Sequence, residues 1–190
     1  MKLNLKMIER LGSAATPVLN VPVIRRIRRN HGFEHATIHI LSRRIKNLSM
    51  AGRADDSGFY LYGEVDTGLV WEAAEEALNR MRSGEHKLAV HPNCGTGLVT
   101  TSLLTSIAAI IGLAGSKKDD AGELLNRLPL VMLLSIFALI ISQPLGLSFQ
   151  QHFTTLGEPG DLEIVDISRH KTNMPLAGNL TVHRVQTRNG

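Results

Sequence analysis

Two stretches without a single Asp, Glu, Lys or Arg, residues 88–116 and 128–157, constrain this chain more than anything else in it. The first contains LVTTSLLTSIAAIIGLAG (98–115), and about 18 residues of helix rise roughly 27 Å, close to the thickness of a bilayer's hydrocarbon core. The second contains LPLVMLLSIFALIISQPLGLSF (128–149), more apolar still, with Pro144 near its far end. Between them lies the polar link SKKDDAGELLNR (116–127). Two buried core helices of a soluble protein are the competing reading, but such helices seldom run this long without a charge. The expected architecture is an α-helical membrane hairpin of two transmembrane helices, about 98–115 and 128–149, in the plasma membrane.

A hairpin puts both termini on one side. Of the 21 Lys and Arg, 14 fall in residues 1–97, three in the link and four in the tail, and close to the spans the bias is too weak to set orientation. Residues 1–20 carry Glu9 and Arg10 where a signal peptide needs an apolar run. A region made before the first span without an export signal stays in the cytoplasm, so both termini are expected there. The lone Cys94 excludes an intrachain disulfide and suits a reducing compartment. On that side of the membrane the sequons at Asn47 and Asn179 are chance matches. Composition excludes a disordered tail, a collagen-like chain and a disulfide miniprotein.

The rest of the chain reads as a small cytoplasmic α/β part. Residues 22–46 suit one long helix opened by Pro22, with an apolar stripe of Ile24, Ile27, Ile38, Leu41 and Ile45. Arg25, Arg26, Arg28, Arg29, Arg43 and Arg44 lie at its two ends, so the helix is expected to rest, solvated or lipid-facing, on the anionic headgroups of the bilayer. Nucleic acid is set aside as a partner, because no aromatic platform or groove-reading motif accompanies these arginines. After a loop at 51–58, FYLYGEV (59–65) reads as a strand, and Asp66 and Thr67 cap a helix whose inner face is Val70, Ala73, Ala77 and Met81, stopping at Gly84. LAVHP (88–92), LEIVDI (162–167) and NLTVHRVQT (179–187) read as further strands, the last two joined by a polar turn region. The expected organisation is an N-terminal cytoplasmic or interfacial region (1–97), the hairpin (98–149) and a β-rich tail (150–190). The sequence names no protein partner and leaves association into a homo-oligomer open.

Chemistry concentrates in two short motifs. His31-Gly-Phe-Glu34-His35 has the H-x-x-E-H spacing of one class of zinc peptidases. Residues 31 and 35 are one helical turn apart, so two imidazoles can share an ion, and Glu34 stands beside them as a base for metal-bound water. These polar groups continue the helix's apolar stripe and therefore need partners. His39 follows one turn later, but a helix advances roughly 12 Å from 31 to 39, too far for all three to hold one ion. The second motif, His91-Pro-Asn-Cys94-Gly-Thr-Gly, precedes the first span and offers an imidazole and a thiolate at chelating spacing. The expected metal ligands are His31, His35, His91 and Cys94, with Zn as the ion and Glu34 as the catalytic residue. His86, His152, His170 and His183 are expected at surfaces or interfaces.

The pairing of H-G-x-E-H on an early helix with H-P-x-C-G-T before a span resembles the YqhQ-type bacterial integral-membrane proteins, described as predicted metal-dependent enzymes. Over roughly residues 30–187, through NHGFEHATIHILSRR, SGFYLYGEV, EALNRMRSGEHKLAVHPNCGTGL and QPLGLSFQQHFTTLGEPGDLEIV, the chain is also similar to a "domain of unknown function" family of small bacterial membrane proteins. These resemblances imply a membrane location and a shared His/Glu/His plus His/Cys signature, and they bring no substrate. Three classes follow: a membrane-embedded metal-dependent hydrolase, a membrane protein with a closed structural zinc site, and a metal-free scaffold or accessory subunit. A Cys94/His91 nucleophilic dyad is weaker than these, since it leaves H-x-x-E-H unexplained.

Overall fold

The apolar heart of each charge-free stretch is a long helix in the computed structural model, which describes residues 2–116, 121–174 and 178–190. Among the described residues there are six α-helices: α1 (Lys2–Ala14), α2 (Thr16–Leu19), α3 (Pro22–Arg44), α4 (Thr67–Arg82), α5 (Gly95–Leu113) and α6 (Ala121–Phe149). Four strands, β1 (Ala51–Asp55), β2 (Gly58–Tyr62), β3 (Glu163–Met174) and β4 (Gly178–Arg188), form one antiparallel sheet in the order β1-β2-β4-β3. The chain divides into two compact units, residues 92–150 and residues 2–91 with 151–190.

The 92–150 unit is a helix pair. Both α5 and α6 are long and apolar enough to cross a membrane, and their large apolar side chains, Ile110, Met132 and Ile140 among them, point outward. Small residues let the two backbones approach. A Cβ on Gly112 would lie 2.7 Å from Val131, and one on Gly146 would lie 3.0 Å from the Gly97 Cα. Thr101 donates to the buried Ser142 hydroxyl at 2.8 Å. Such small and hydroxylated contacts replace the hydrophobic effect where the surroundings are as apolar as the helices. At the far end Arg127 donates to the Ala114 carbonyl at 2.6 Å, satisfying an acceptor that α5 leaves open. Part of the connecting link, residues 117–120, lies outside the described residues.

In the other unit α3 and α4 pack together, and the core joins their inner faces to the sheet. Phe33, Ile40 and Leu41 of α3 meet Val70, Ala73, Ala77 and Met81 of α4 and Phe59, Leu61, Ile167 and Val185 of the sheet. Phe33 and Phe59 stand edge to face with centroids 5.2 Å apart. Each fully buried Phe, Leu or Met contributes about 1.5–3 kcal/mol. The Asp66 carboxylate caps α4 by accepting from the Gly68 and Leu69 amides, and the expected inner face of that helix is the buried one. Asn30 ties α3 to the sheet: its amide donates to the Asp55 carbonyl at 2.9 Å, and Thr187 donates to its oxygen at 2.8 Å.

Several expectations change. The buried stripe of α3 is Phe33, Ala36, Thr37, Ile40 and Leu41, whereas Ile27 is exposed and Ile24 and Ile38 are half-buried. Two elements, α4 and the sheet, press on the helix's middle, so burial there follows contact on two sides rather than a single apolar row. Residues 51–55 form an edge strand, not a loop, because β2 supplies a register that their weak β-propensity cannot. Residues 88–92 do not form a strand. A 3-10 turn occupies His86–Ala89, Pro92 has no amide to donate, and the carbonyls of Ala89 and Val90 are taken by side chains rather than by a ladder. The two tail strands run longer than expected and pair with each other, and residues 175–177 of the turn region between them lie outside the described residues.

Two predictions follow from this packing. Gly112→Leu, placed against Val131, is expected to lower the stability of the helix pair by about 1–3 kcal/mol, read as the thermal midpoint in detergent, while the outward-facing Ile110→Leu leaves it unchanged. The second concerns Asp55, whose burial works to raise its carboxyl while bonds from Arg184 and the Ser57 amide outweigh that and hold it below the usual carboxylate range. Arg184 reaches Asp55 at 2.9 Å and lies 4.3 Å from the Tyr60 ring centroid. The pair's stabilisation is present above the ordinary Asp range and is lost as pH falls through the lowered value. Arg184→Leu should flatten that acid limb of a denaturation profile.

Candidate metal centre

Helix α3 carries Arg28, His31, His35 and His39 at steps of three, four and four, which puts them in one row along the helix. Every member of the row donates to a backbone carbonyl outside the helix. Arg28 reaches the carbonyls of His152 at 3.2 Å and Thr155 at 3.1 Å. The His31 Nδ1 donates to Thr154 O at 2.9 Å, the His35 Nδ1 to Ala89 O at 2.8 Å, and the His39 Nε2 to Val90 O at 3.0 Å. These acceptors lie in two irregular segments, one after the 3-10 turn and one in and just after a π-helical turn at Gln150–Thr154. A carbonyl leaving regular structure needs a donor, and α3 provides one for each.

The acceptors also set the imidazole tautomers. A carbonyl oxygen only accepts, so the bonded ring nitrogen carries the hydrogen and the other nitrogen carries the lone pair. In their neutral forms His31 and His35 therefore carry the lone pair on Nε2, and His39 carries it on Nδ1. Backbone carbonyls hold metal-ligating histidines in the same way in known centres. The His31 and His35 rings stand edge to face with centroids 4.4 Å apart, and a nitrogen of each lies within 4.8 Å of the other. The first motif is brought together as its spacing predicts.

His91 lies 6.0 Å from His35 and 4.7 Å from His39, centroid to centroid. Burial, and then the neighbouring His39, push its imidazole below the ordinary range and keep it neutral, the form that binds metal. Sequence reasoning set His39 aside on the length of the helix; the signal it missed was that a second segment returning past α3 gives His39 its own partner. Glu34 is buried at 3% exposure, with its carboxylate packed against the backbone of Gly52 in β1, where any Cβ would collide with it. Cys94 is buried at the start of α5 in the 92–150 unit, its Sγ accepting from the Thr96 amide at 3.4 Å. In that unit a cavity of about 460 Å³ has a mixed lining, with Asn93, Thr101, Ser142 and Gln143 beside Leu98 and Leu147. A larger groove of about 580 Å³ runs over the exposed ion pairs of Arg44 and Arg80 with Glu72 and Glu76, far from metal-binding chemistry.

The arginines are not all a solvated flank. Arg28 is buried, Arg29 donates to Glu158 O at 3.1 Å, and Arg44 pairs with Glu72 and Glu76. His183, expected at a surface, is fully buried and shares a 3.2 Å hydrogen bond with Thr67, because β4 lies inside the sheet. Gly32 has a packing reason: a Cβ there would stand 2.5 Å from the Leu156 carbonyl and 3.0 Å from Ala89, the two segments that supply the histidines' acceptors.

Comparison with known proteins places these residues in a wider set. The family described as a domain of unknown function, DUF6391, matches residues 26–167. An uncharacterised protein of Picosynechococcus sp. (strain PCC 7002) is 37% identical over 143 residues, which cover 68% of this chain and 65% of that protein. The chain thus spans just under two thirds of that relative's length. No solved structure matches.

Gly32→Ala is expected to push the segment around Leu156 away from α3 and to cost about 1–3 kcal/mol, read by chemical denaturation. Gly95→Ala, whose Cβ meets nothing within 4 Å, serves as the control that should stay near wild type.

Proposed function

The chain belongs to the DUF6391 family, and from the geometry of α3 we propose that it is a membrane protein that binds zinc through His31 and His35 and uses it in hydrolysis. The observation that carries this reading is the His31/His35 pair: two rings one helical turn apart, each with its Nδ1 committed to a backbone carbonyl. Such a pair is oriented for an ion before the ion arrives. The chain's one thiol, Cys94, follows His91 by three residues, and imidazole and thiolate donors are both of the kind that suits zinc. When bound, the ion supplies polarisation of water or of a substrate carbonyl. Glu34, adjacent to His35 in the chain and shielded from solvent, takes the proton at its carboxylate.

The helix pair is the membrane anchor in this reading, with both termini in the cytoplasm and the remaining basic side chains of α3 toward anionic lipid headgroups. A structural zinc site is the second reading, favoured by the cysteine, since thiolates are commoner in closed sites than in catalytic ones.

Elemental analysis of the detergent-purified protein tests the proposal. Wild type should carry zinc, and His35→Ala should lose about one equivalent; wild-type protein without metal, even after zinc is restored, overturns it. Glu34→Gln separates the two readings. Retained zinc with loss of the wild-type cellular phenotype marks the base, and retention of both leaves the structural site.

A further inference from the structure

The histidine row holds more imidazole than one ion needs. With a metal–nitrogen bond of about 2.0–2.1 Å and the ring centre roughly 1.1 Å beyond the nitrogen, two imidazoles on one tetrahedral ion have centroids about 5 Å apart. The observed separations fall into two classes against that value. His31 and His35 stand at 4.4 Å and His39 and His91 at 4.7 Å, both near it, while His35 and His91 stand at 6.0 Å. Sharing an ion across the last gap would open the angle at the metal to about 140° or more, far from tetrahedral. The four rings thus sort into two pairs, and His91 belongs with His39.

The second pair has the same support as the first. The His39 Nε2–H is committed to Val90 O at 3.0 Å, leaving Nδ1 as the ligand atom, and Val90 is the residue immediately before His91. One hydrogen bond therefore fixes both the tautomer of His39 and the position of its partner. The two rings meet at 64°, edge toward face, so their nitrogens are offset rather than stacked. Both residues are half-buried, like His31 and unlike the buried His35, which gives the second position access to solvent for water ligands.

We infer that His39 and His91 form a second metal position, taking a divalent ion of the imidazole-preferring class such as zinc, cobalt or nickel, beside the one on His31 and His35. This deepens the proposed function and rests on it: His31 with His35 and His39 with His91 would hold two ions, and the second would supply further Lewis-acid chemistry for hydrolysis.

The test is titration of metal-stripped, detergent-purified protein with cobalt(II), followed by its visible absorption, on wild type, His39→Ala, His91→Ala and His35→Ala. Wild type should saturate at two equivalents. His39→Ala and His91→Ala should each saturate at one, and His35→Ala should also lose one. Helical content by circular dichroism identifies any variant that fails to fold, and the conservative His39→Gln then replaces it. Saturation of wild type at one equivalent, lost in His35→Ala and untouched in both His39→Ala and His91→Ala, overturns the second position and leaves the first standing. No binding in wild type overturns both.

Discussion

The arrangement depends on backbone carbonyls that have left regular structure and must still find donors. Two irregular segments, around Ala89–Val90 and His152–Thr155, return past α3, and their acceptors would be costly to bury unpaired. Arg28, His31, His35 and His39 answer them one turn after another. Removing any one donor leaves a buried carbonyl that costs about 1–3 kcal/mol. The same bonds that seat the segments also fix which nitrogen of each imidazole is left for chemistry, so packing and site are one structure.

Glycine sets how closely these pieces can approach. At Gly32 the missing Cβ admits the Leu156 carbonyl and Ala89, and at Gly52 it admits the Glu34 carboxylate. The H-G-x-E-H motif therefore carries two kinds of information: its histidines and glutamate read as chemistry, and its glycine reads as room for the segment that orients the first histidine. In the helix pair Gly112 and Gly146 do the same for backbone against backbone. There, close backbone contact and the Thr101–Ser142 hydrogen bond join the helices, the kind of contact that holds helices together in apolar surroundings.

What the sequence made legible follows the range of the forces involved. The two apolar helices, the cap at Asp66, the inner face of α4 and the pairing of His31 with His35 all depend on residues within a turn or two of each other, and periodicity reveals such relations. The edge strand at residues 51–55 was hidden because its pairing comes from β2 and not from its own composition. The buried stripe of α3, the burial of His183 and the role of His39 were hidden for the same reason: each is decided by an element distant in sequence. Arg28 shows the limit most plainly. Among five other arginines it reads as a solvated charge, yet it is the buried donor for two carbonyls more than a hundred residues away.

The row on α3 carries a donor chemistry that stapling alone does not call for. Arg28 shows that seating the returning segments needs only a donor, and a guanidinium supplies five of them with no lone pair for a metal. If stapling were the whole purpose, Arg, Lys, Asn or Gln would serve at the other three positions as well. Imidazole is the side chain that donates with one nitrogen while offering the other as a ligand, and it stands at all three. A fourth imidazole, His91, comes from the very segment that His39 holds in place. Four imidazoles gathered on one face of α3 are the donor set on which the proposed metal reading rests.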